Sequence, residues 1–300
     1  MSIFKTDVAK SLEYGARAQF LEGSKAWPSK RGTIAAEVSS SGDKETYVGL
    51  GEHPMPVEAK GEVQVRGLSE RTIDITNKDW EVTLAVSHNA INDDRVGNVL
   101  PWMRSAGLRF EEHMDKLAFL ALNGGDGTTY GSCYDGYELF DTLHADAKAE
   151  YTTAQSNLGT STLTLDTFNS IWVLAKALMD SRGEVVDMPF DLLTVSPSLK
   201  TVAAQICDNV QAYDTANREI NPFSGEFRYQ VSPHFDSAAW VISCSVLPEK
   251  PVILQMRQRP ELVIWDDESV AAQGGIRYFK WSARYQVGYG DWRTAYMGKT

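Results

Sequence analysis

The sequence predicts an α+β chain in which extended segments are laid around one long helix, and three observations carry that reading. Residues 46–87 and 276–300 alternate apolar and polar side chains at period two, as strands do. Residues 100–122 carry apolar side chains at steps of three and four over their whole length, the mark of one buried helix face. From 187 to 264 the pattern changes to strand, helix, strand, as in a compact α+β insert.

The elements follow in order. Val8, Leu12, Ala16 and Phe20 predict an isolated amphipathic helix over 5–22, with Gly23 as its stop. Residues 27–45 have no helical period and contain Pro28, Gly32 and a Ser-Ser-Ser-Gly run, which predicts an extended arm. Next, Val63 with Val65, Ile73 with Ile75, and Val82, Leu84 and Val86 alternate in a long, thin hairpin. Such a hairpin has little core of its own and is expected to pack on a neighbouring subunit. Asn98 and Pro101 mark the start of the long helix and Asn123-Gly124-Gly125 its end; Leu100, Met103, Gly107, Phe110, Met114, Leu117 and Ala121 form its stripe. A second helix is expected over 165–182, capped by Thr164 or Asp166 and closed by Gly183. In the insert, Ser196 is expected to cap a helix with Pro197 at its first position. The closing aromatic strand, with Phe279, Trp281 and Ala283 on one side, should rejoin the sheet begun before the insert.

Composition narrows the function. The chain has 300 residues, of which 43% are hydrophobic and 23% charged, a globular balance that excludes disorder. Arg104, Arg109, Glu111, Glu112, Asp115 and Lys116 interrupt the longest helical candidate, so no membrane span is expected. The start, MSIFKTDVAK, has neither a basic nor an apolar signal region, and export is not expected. Cys133, Cys207 and Cys244 are few and widely spaced, which fits a reducing compartment. With 29 basic and 40 acidic residues, the formal charge of −11 repels polyanions. This disfavours sequence-specific DNA binding and fits either plain solubility or a surface that lies beside nucleic acid without sticking.

No enzyme emerges from the candidate motifs. The run Gly124-Gly125-Asp126-Gly127 follows a helix and lacks the lysine of a phosphate loop. Cys133 with His144 or His113 could make a thiolate and imidazole pair, oriented by Asp135 or Asp141, but no nucleophile signature surrounds it. Asp141, His144 and Asp146, and likewise His88, Asp93 and Asp94, offer metal-ligand atoms without metal-site spacing. Asn92–Arg95 reads as a turn, and Asp266, Asp267 and Glu268 read as a solvated corner with no partner acid. No catalytic, cofactor-binding or metal-binding residue is therefore assigned, and no cofactor is expected.

The segments TYVGLGEHP (46–54), ITNKDWEVTLAVSHNAINDDRVG (75–97), CYDGYELFDTLHAD (133–146) and GGIRYFKWSARYQVGYGDWRTAYMGK (274–299) resemble the Mu-like phage major head subunit family. This family belongs to the tailed-bacteriophage major capsid proteins with the Hong Kong 97-type fold. The resemblance implies an N-terminal arm at 1–43, an extended loop at 44–86, a peripheral domain at 87–186 and 265–300 with its spine helix at 100–122, and an inserted axial domain at 187–264. It implies a homo-oligomeric structural protein whose hexamers and pentamers close into an icosahedral shell around double-stranded DNA. A virion location follows, with assembly in the bacterial host cytoplasm, beside a portal, a separate scaffold and decoration proteins, and without a membrane. The insert is shorter than in the family, and Lys60 is a conceivable crosslink donor without an identified acceptor, so no crosslink is expected. Two alternatives stay open: a cellular nanocompartment shell of the same fold, and a hydrolase using Cys133 and His144.

Overall fold

A computed structural model describes residues 2–48, 72–89, 96–145, 150–211, 220–267 and 275–300. Three sheets organise them. A four-stranded sheet has the order β1-β9-β10-β4 and a five-stranded sheet the order β5-β11-β8-β6-β7; β2 and β3 pair alone. The strands are β1 (Ala35–Ser39), β2 (Lys44–Val48), β3 (Thr72–Thr76), β4 (Lys78–Ser87), β5 (Leu158–Gly159), β6 (Leu192–Val195), β7 (Arg228–Val231), β8 (Trp240–Ser243), β9 (Val252–Asp267), β10 (Ile276–Tyr289) and β11 (Ala295–Gly298). The helices are α1 (Ser2–Ala26), α2 (Val96–Asn123), α3 (Leu165–Lys176) and α4 (Lys200–Cys207). Among the described residues no helix is long and apolar enough to cross a membrane.

The long helix forms as its periodicity requires and begins earlier than Asn98, at Val96. Its 28 residues correspond to about 42 Å. Met103, Phe110, Met114, Leu117 and Ala121 are buried under the four-stranded sheet, where Phe279, Trp281 and Tyr285 meet them.

The first helix departs from expectation. It runs to Ala26, straight through Gly23, and it is not isolated. Gly23 and Gly107 lie at the crossing of α1 and α2. A Cβ on Gly23 would sit 1.9 Å from the Arg104 carbonyl oxygen, and one on Gly107 2.1 Å from that of Phe20. Gly23 is thus a contact glycine and not a C-cap. Phe20 stacks on Trp281 with ring centroids 3.5 Å apart. Beyond the helix, Asp115 of α2 gathers the chain: it accepts from Trp27 Nε1 (3.0 Å), Ser29 Oγ (2.6 Å), Lys30 N (2.9 Å) and Arg31 Nη1 (3.0 Å). Residues 27–31 are therefore fixed to α2 by charge-assisted hydrogen bonds.

The expected hairpin over 44–86 divides. β2 pairs antiparallel with β3, from Lys44 opposite Thr76 to Val48 opposite Thr72, while residues 49–71, with Val63, Val65 and Lys60, lie outside the described residues. β4 belongs to the large sheet, antiparallel to β10 from Lys78 opposite Tyr285 to Ser87 opposite Ile276. Its alternation is that of a half-buried strand, with Trp80, Leu84 and Val86 turned onto the core. β10 thus rejoins the chain laid down before the insert, as its aromatic alternation predicts.

The boundary expected at 264/265 falls inside β9, which pairs with β10 as one strand through to Asp267. The ladder slips between Ser282 and Arg284, where Arg259 and Pro260 of β9 stand against Ala283 alone, and again before Tyr285, where Arg257 is the extra residue; proline has no N–H to give to a ladder. The last strand, β11, joins the five-stranded sheet beside β8 instead of the four-stranded sheet that holds β10.

Two helix ends also move. α3 stops at Lys176, six residues before Arg182, although its Thr164 cap forms as expected in a reciprocal pair with Thr167. The following turn accounts for the early stop: Asp180 Oδ1 accepts from Arg182 N (2.8 Å) and Glu184 N (3.0 Å), with Gly183 at φ +84. In the insert, Pro197–Leu199 is a 3-10 turn leading to α4. Ser196 does not cap it, because its hydroxyl bonds Ser198 Oγ at 2.6 Å. A second core, with Phe168, Phe223, Phe227 and Trp240 at its centre, fills this part of the molecule.

Candidate functional site

The loop after α2 holds most of the sequence candidates. Its glycines serve packing: Gly125 lies where a Cβ would come 2.7 Å from the Phe140 ring, and the Gly124 carbonyl accepts from Tyr289 Oη at 3.3 Å. Asp126 pairs with Lys299 at 2.6 Å, which places a carboxylate and its counter-ion where a phosphate loop would need free donors.

His144 and Asp135 do meet, at 2.7 Å, with both side chains excluded from solvent. The other ring nitrogen, Nε2, lies 3.0 Å from Asn157 Oδ1, and the ring lies flat on Trp292 at 4.0 Å. Asn157 is the residue that sequence reasoning missed. Its amide nitrogen donates to the carbonyls of Leu139 (2.7 Å), Trp292 (3.0 Å) and Ala295 (3.3 Å), and its Oδ1 also accepts from Asp141 N (2.9 Å). Three carbonyls fix which way the amide points, so His144 must present Nε2–H to it. The imidazole is locked between two partners, and neither nitrogen is left to take a proton from Cys133.

Cys133 itself is buried, and burial, followed by the nearby Asp135 and Asp291 charges, pushes its thiol well above the usual thiol range. An inert thiol results. Alkylation of the native protein at about pH 8 is expected to leave Cys133 unmodified, with labelling only after denaturation; peptide mass mapping reads this directly. Fast labelling of native Cys133 would contradict the burial. His113 sits elsewhere, bonded through Nδ1 to Tyr285 Oη at 2.8 Å and packed on Trp80.

Among the described residues the remaining acids are paired. Glu138 is raised by its hydrogen bond to Asp141. Partial burial would raise Asp141 too, but Glu138 and the Leu143 and Thr142 amides hold it below its ordinary value. Asp266 makes a two-pronged pair with Arg277 at 2.7 Å on each arm, which lowers its carboxyl, and His88 Nε2 lies 3.5 Å away. Asp93, Asp94, Asp146 and Glu268 lie outside the described residues. Among the described residues no group of three or more His, Cys, Asp or Glu side chains could hold a metal ion. Around His144, Arg293 is buried too: it donates to Tyr134 Oη, to the Met179 carbonyl through Nε (2.7 Å), and covers Trp292 at 4.4 Å. The whole cluster ties the loop to residues 291–295 and works as a brace.

What the surface offers is different in kind. Between β4 and α2 run two adjoining apolar hollows. One is about 290 Å³, with Trp80, Val82, Phe110 and His113 in its wall; the other is about 370 Å³, with Leu84, Trp102, Met103 and Trp281 in its wall. Trp102 is 62% exposed and Val82 44%. β4 is also the last strand in its sheet order. An apolar trough thus runs along a sheet edge, the kind of exposed apolar area that marks interaction surfaces.

Comparison with known proteins gives this arrangement its class. The chain matches a procapsid chain of bacteriophage JBD30 with a TM-score of 0.63 over 98% of this chain and 75% of that one, at 22% identity. It matches a virus-like particle chain from Pyrococcus furiosus with a TM-score of 0.53 over 95% and 98%, at 12% identity. The fold is therefore that of the Hong Kong 97-type capsid proteins. At the sequence level, the profile of the Mu-like prophage major head subunit gpT family matches residues 9–174, and the chain belongs to that family. The major capsid protein of Escherichia phage Mu is 33% identical over 135 residues, a stretch that covers 45% of this chain and 43% of the Mu protein.

Proposed function

We propose that this chain is a major capsid subunit of a tailed double-stranded DNA bacteriophage. The observation that carries the reading is the head-subunit family match over residues 9–174 on a chain whose fold follows a procapsid chain over nearly its whole length. Copies close as hexamers and pentamers into an icosahedral shell, which becomes the wall of the virion after assembly in the bacterial host cytoplasm. By analogy, a portal, a separate scaffold and decoration proteins meet it there.

The parts divide the work. Residues 1–43 serve as the arm, whose β1 adds a strand beside β9, β2 and β3 as the base of the extended loop, α2 with β4, β9 and β10 as the peripheral domain, and α3, α4, β5–β8 and β11 as the axial domain. A two-stranded hairpin is marginal in water by itself; the described base of this one is seated on the subunit's own core through Ile73 and Ile75, and neighbours in the lattice add to that support. The charge of −11 lets packaged DNA slide along the inner wall without adhering.

The likeness to the Pyrococcus furiosus virus-like particle supports a second reading, a nanocompartment shell that holds protein cargo. Negative-stain electron microscopy and sedimentation of the purified protein test both. Shells, hexamers or pentamers are expected; DNA inside particles from phage-infected cells fits the capsid and protein cargo fits the compartment. A monomer at every concentration and salt would refute both, and tight DNA binding at low salt would refute the sliding wall.

A further inference from the structure

The hairpin β2–β3 joins the rest of the chain through a narrow neck, residues 40–43 on one side and the single residue Asn77 on the other. The two crossings are bound together. Asn77 N donates to the Asp43 carbonyl at 2.9 Å, and Asn77 Nδ2 donates to Ser40 Oγ and the Gly42 carbonyl, each at 3.0 Å. Glu45 closes the same turn, accepting from Gly42 N at 2.8 Å and Ser40 Oγ at 3.1 Å. Above the neck, one side chain of the large sheet holds both hairpin strands. Gln255 of β9, with no solvent exposure, accepts at Oε1 from Tyr47 Oη of β2 (3.0 Å) and donates from Nε2 to the Ile75 carbonyl of β3 (3.1 Å). Below it, Gly288 of β10 leaves the space that Ile75 fills; a Cβ there would lie 2.4 Å from Ile75 Cδ1.

We propose that Gln255 and Asn77 form a two-point clamp that sets the angle at which the hairpin leaves the four-stranded sheet. Both points are primary amides, which bond directionally and can exchange partners without exposing a large apolar area. The clamp is also incomplete as it stands: Asn77 Oδ1 is buried and finds no hydrogen-bond partner among the described residues. Buried acceptors are normally satisfied, by water where no protein group reaches them. A subunit that must meet neighbours at more than one angle needs such a joint, a use that rests on the capsid reading; the joint itself does not.

Hydrogen exchange of the purified full-length protein tests the clamp. Gln255→Leu keeps the volume and removes both bonds; Tyr47→Phe removes one hydroxyl and is too small a change to unfold the chain. Exchange in residues 44–48 and 72–76 is expected to rise about tenfold in Tyr47→Phe and further in Gln255→Leu, while residues 252–267 and 276–289 stay as protected as in the parent. Unchanged exchange in the hairpin strands of Tyr47→Phe, or a rise shared equally by β9 and β10, would overturn the proposal. The readout needs no particle, so absence of shells would count against the capsid reading and leave the clamp to be judged by exchange alone.

Discussion

Asn157→Ala is expected to destabilise the fold by about 3–5 kcal/mol, enough to remove most soluble protein. The side chain has no solvent exposure and engages five groups: three carbonyls through Nδ2, and Asp141 N and His144 Nε2 through Oδ1. Each buried partner left without a bond costs about 1–3 kcal/mol, less whatever a water entering the vacated space recovers. The loss is compounded because these partners come from separate stretches, at 139–144 and 292–295. Without Asn157 the loop is no longer held to the end of the chain. Asn157→Asp sharpens the point. It has the same shape, yet it turns an acceptor toward three carbonyls, so it is expected to be at least as damaging as alanine. Urea unfolding of the soluble fraction, followed by tryptophan fluorescence, measures both. A cost below about 1 kcal/mol for either variant would show that the brace is not rigid.

The same residue marks the limit of what the sequence discloses. Long regular periods are legible because they are local: the stripe from Leu100 to Ala121 is a helix face whatever packs on it, and the Phe279, Trp281, Ala283 parity is a strand face. Pairing is not local. The alternation of Val82, Leu84 and Val86 reads equally as the arm of a free hairpin and as a strand of a large sheet, and only the register with β10 decides it. Gly23 illustrates a second ambiguity, since a glycine that ends a helix and one that admits another helix look alike in sequence. The resemblance to a head subunit family was readable because three separated segments, at 46–54, 75–97 and 133–146, carry it in order. The neck and brace residues Asn77, Asn157 and Gln255 were not, because an asparagine or glutamine has no periodic signature and takes its importance from partners tens of residues away.

Gly107→Ala is the second substitution with a large expected effect, and its sign runs against helix propensity. In an exposed helix interior, alanine in place of glycine stabilises by about 1 kcal/mol. Here the new methyl would lie 2.1 Å from the Phe20 carbonyl oxygen and 2.9 Å from Ser24 N, both backbone atoms that no rotamer change can move. The two helices must therefore separate, and the reciprocal contact of Gly23 with the Arg104 carbonyl opens with them. Separation lifts Phe20 from its stack on Trp281 and draws residues 27–31 away from Asp115, so several hydrogen bonds weaken together. Overpacking of this kind costs about 1–3 kcal/mol, and the loss of the Asp115 contacts places Gly107→Ala toward the upper end. Gly32→Ala is the control: nothing lies within 4 Å of its added methyl, and it is expected to be neutral. Thermal unfolding ranks the pair, and limited trypsin cleavage at Arg17 and Lys25 reports whether α1 has come off α2. Faster cleavage in Gly107→Ala with an unchanged midpoint would mean that α1 is a detachable arm whose docking contributes little to the stability of the rest. A lowered midpoint with α1 still protected would mean that the crossing is strained and not released. A raised midpoint would show that the helices cross less closely than this backbone contact requires.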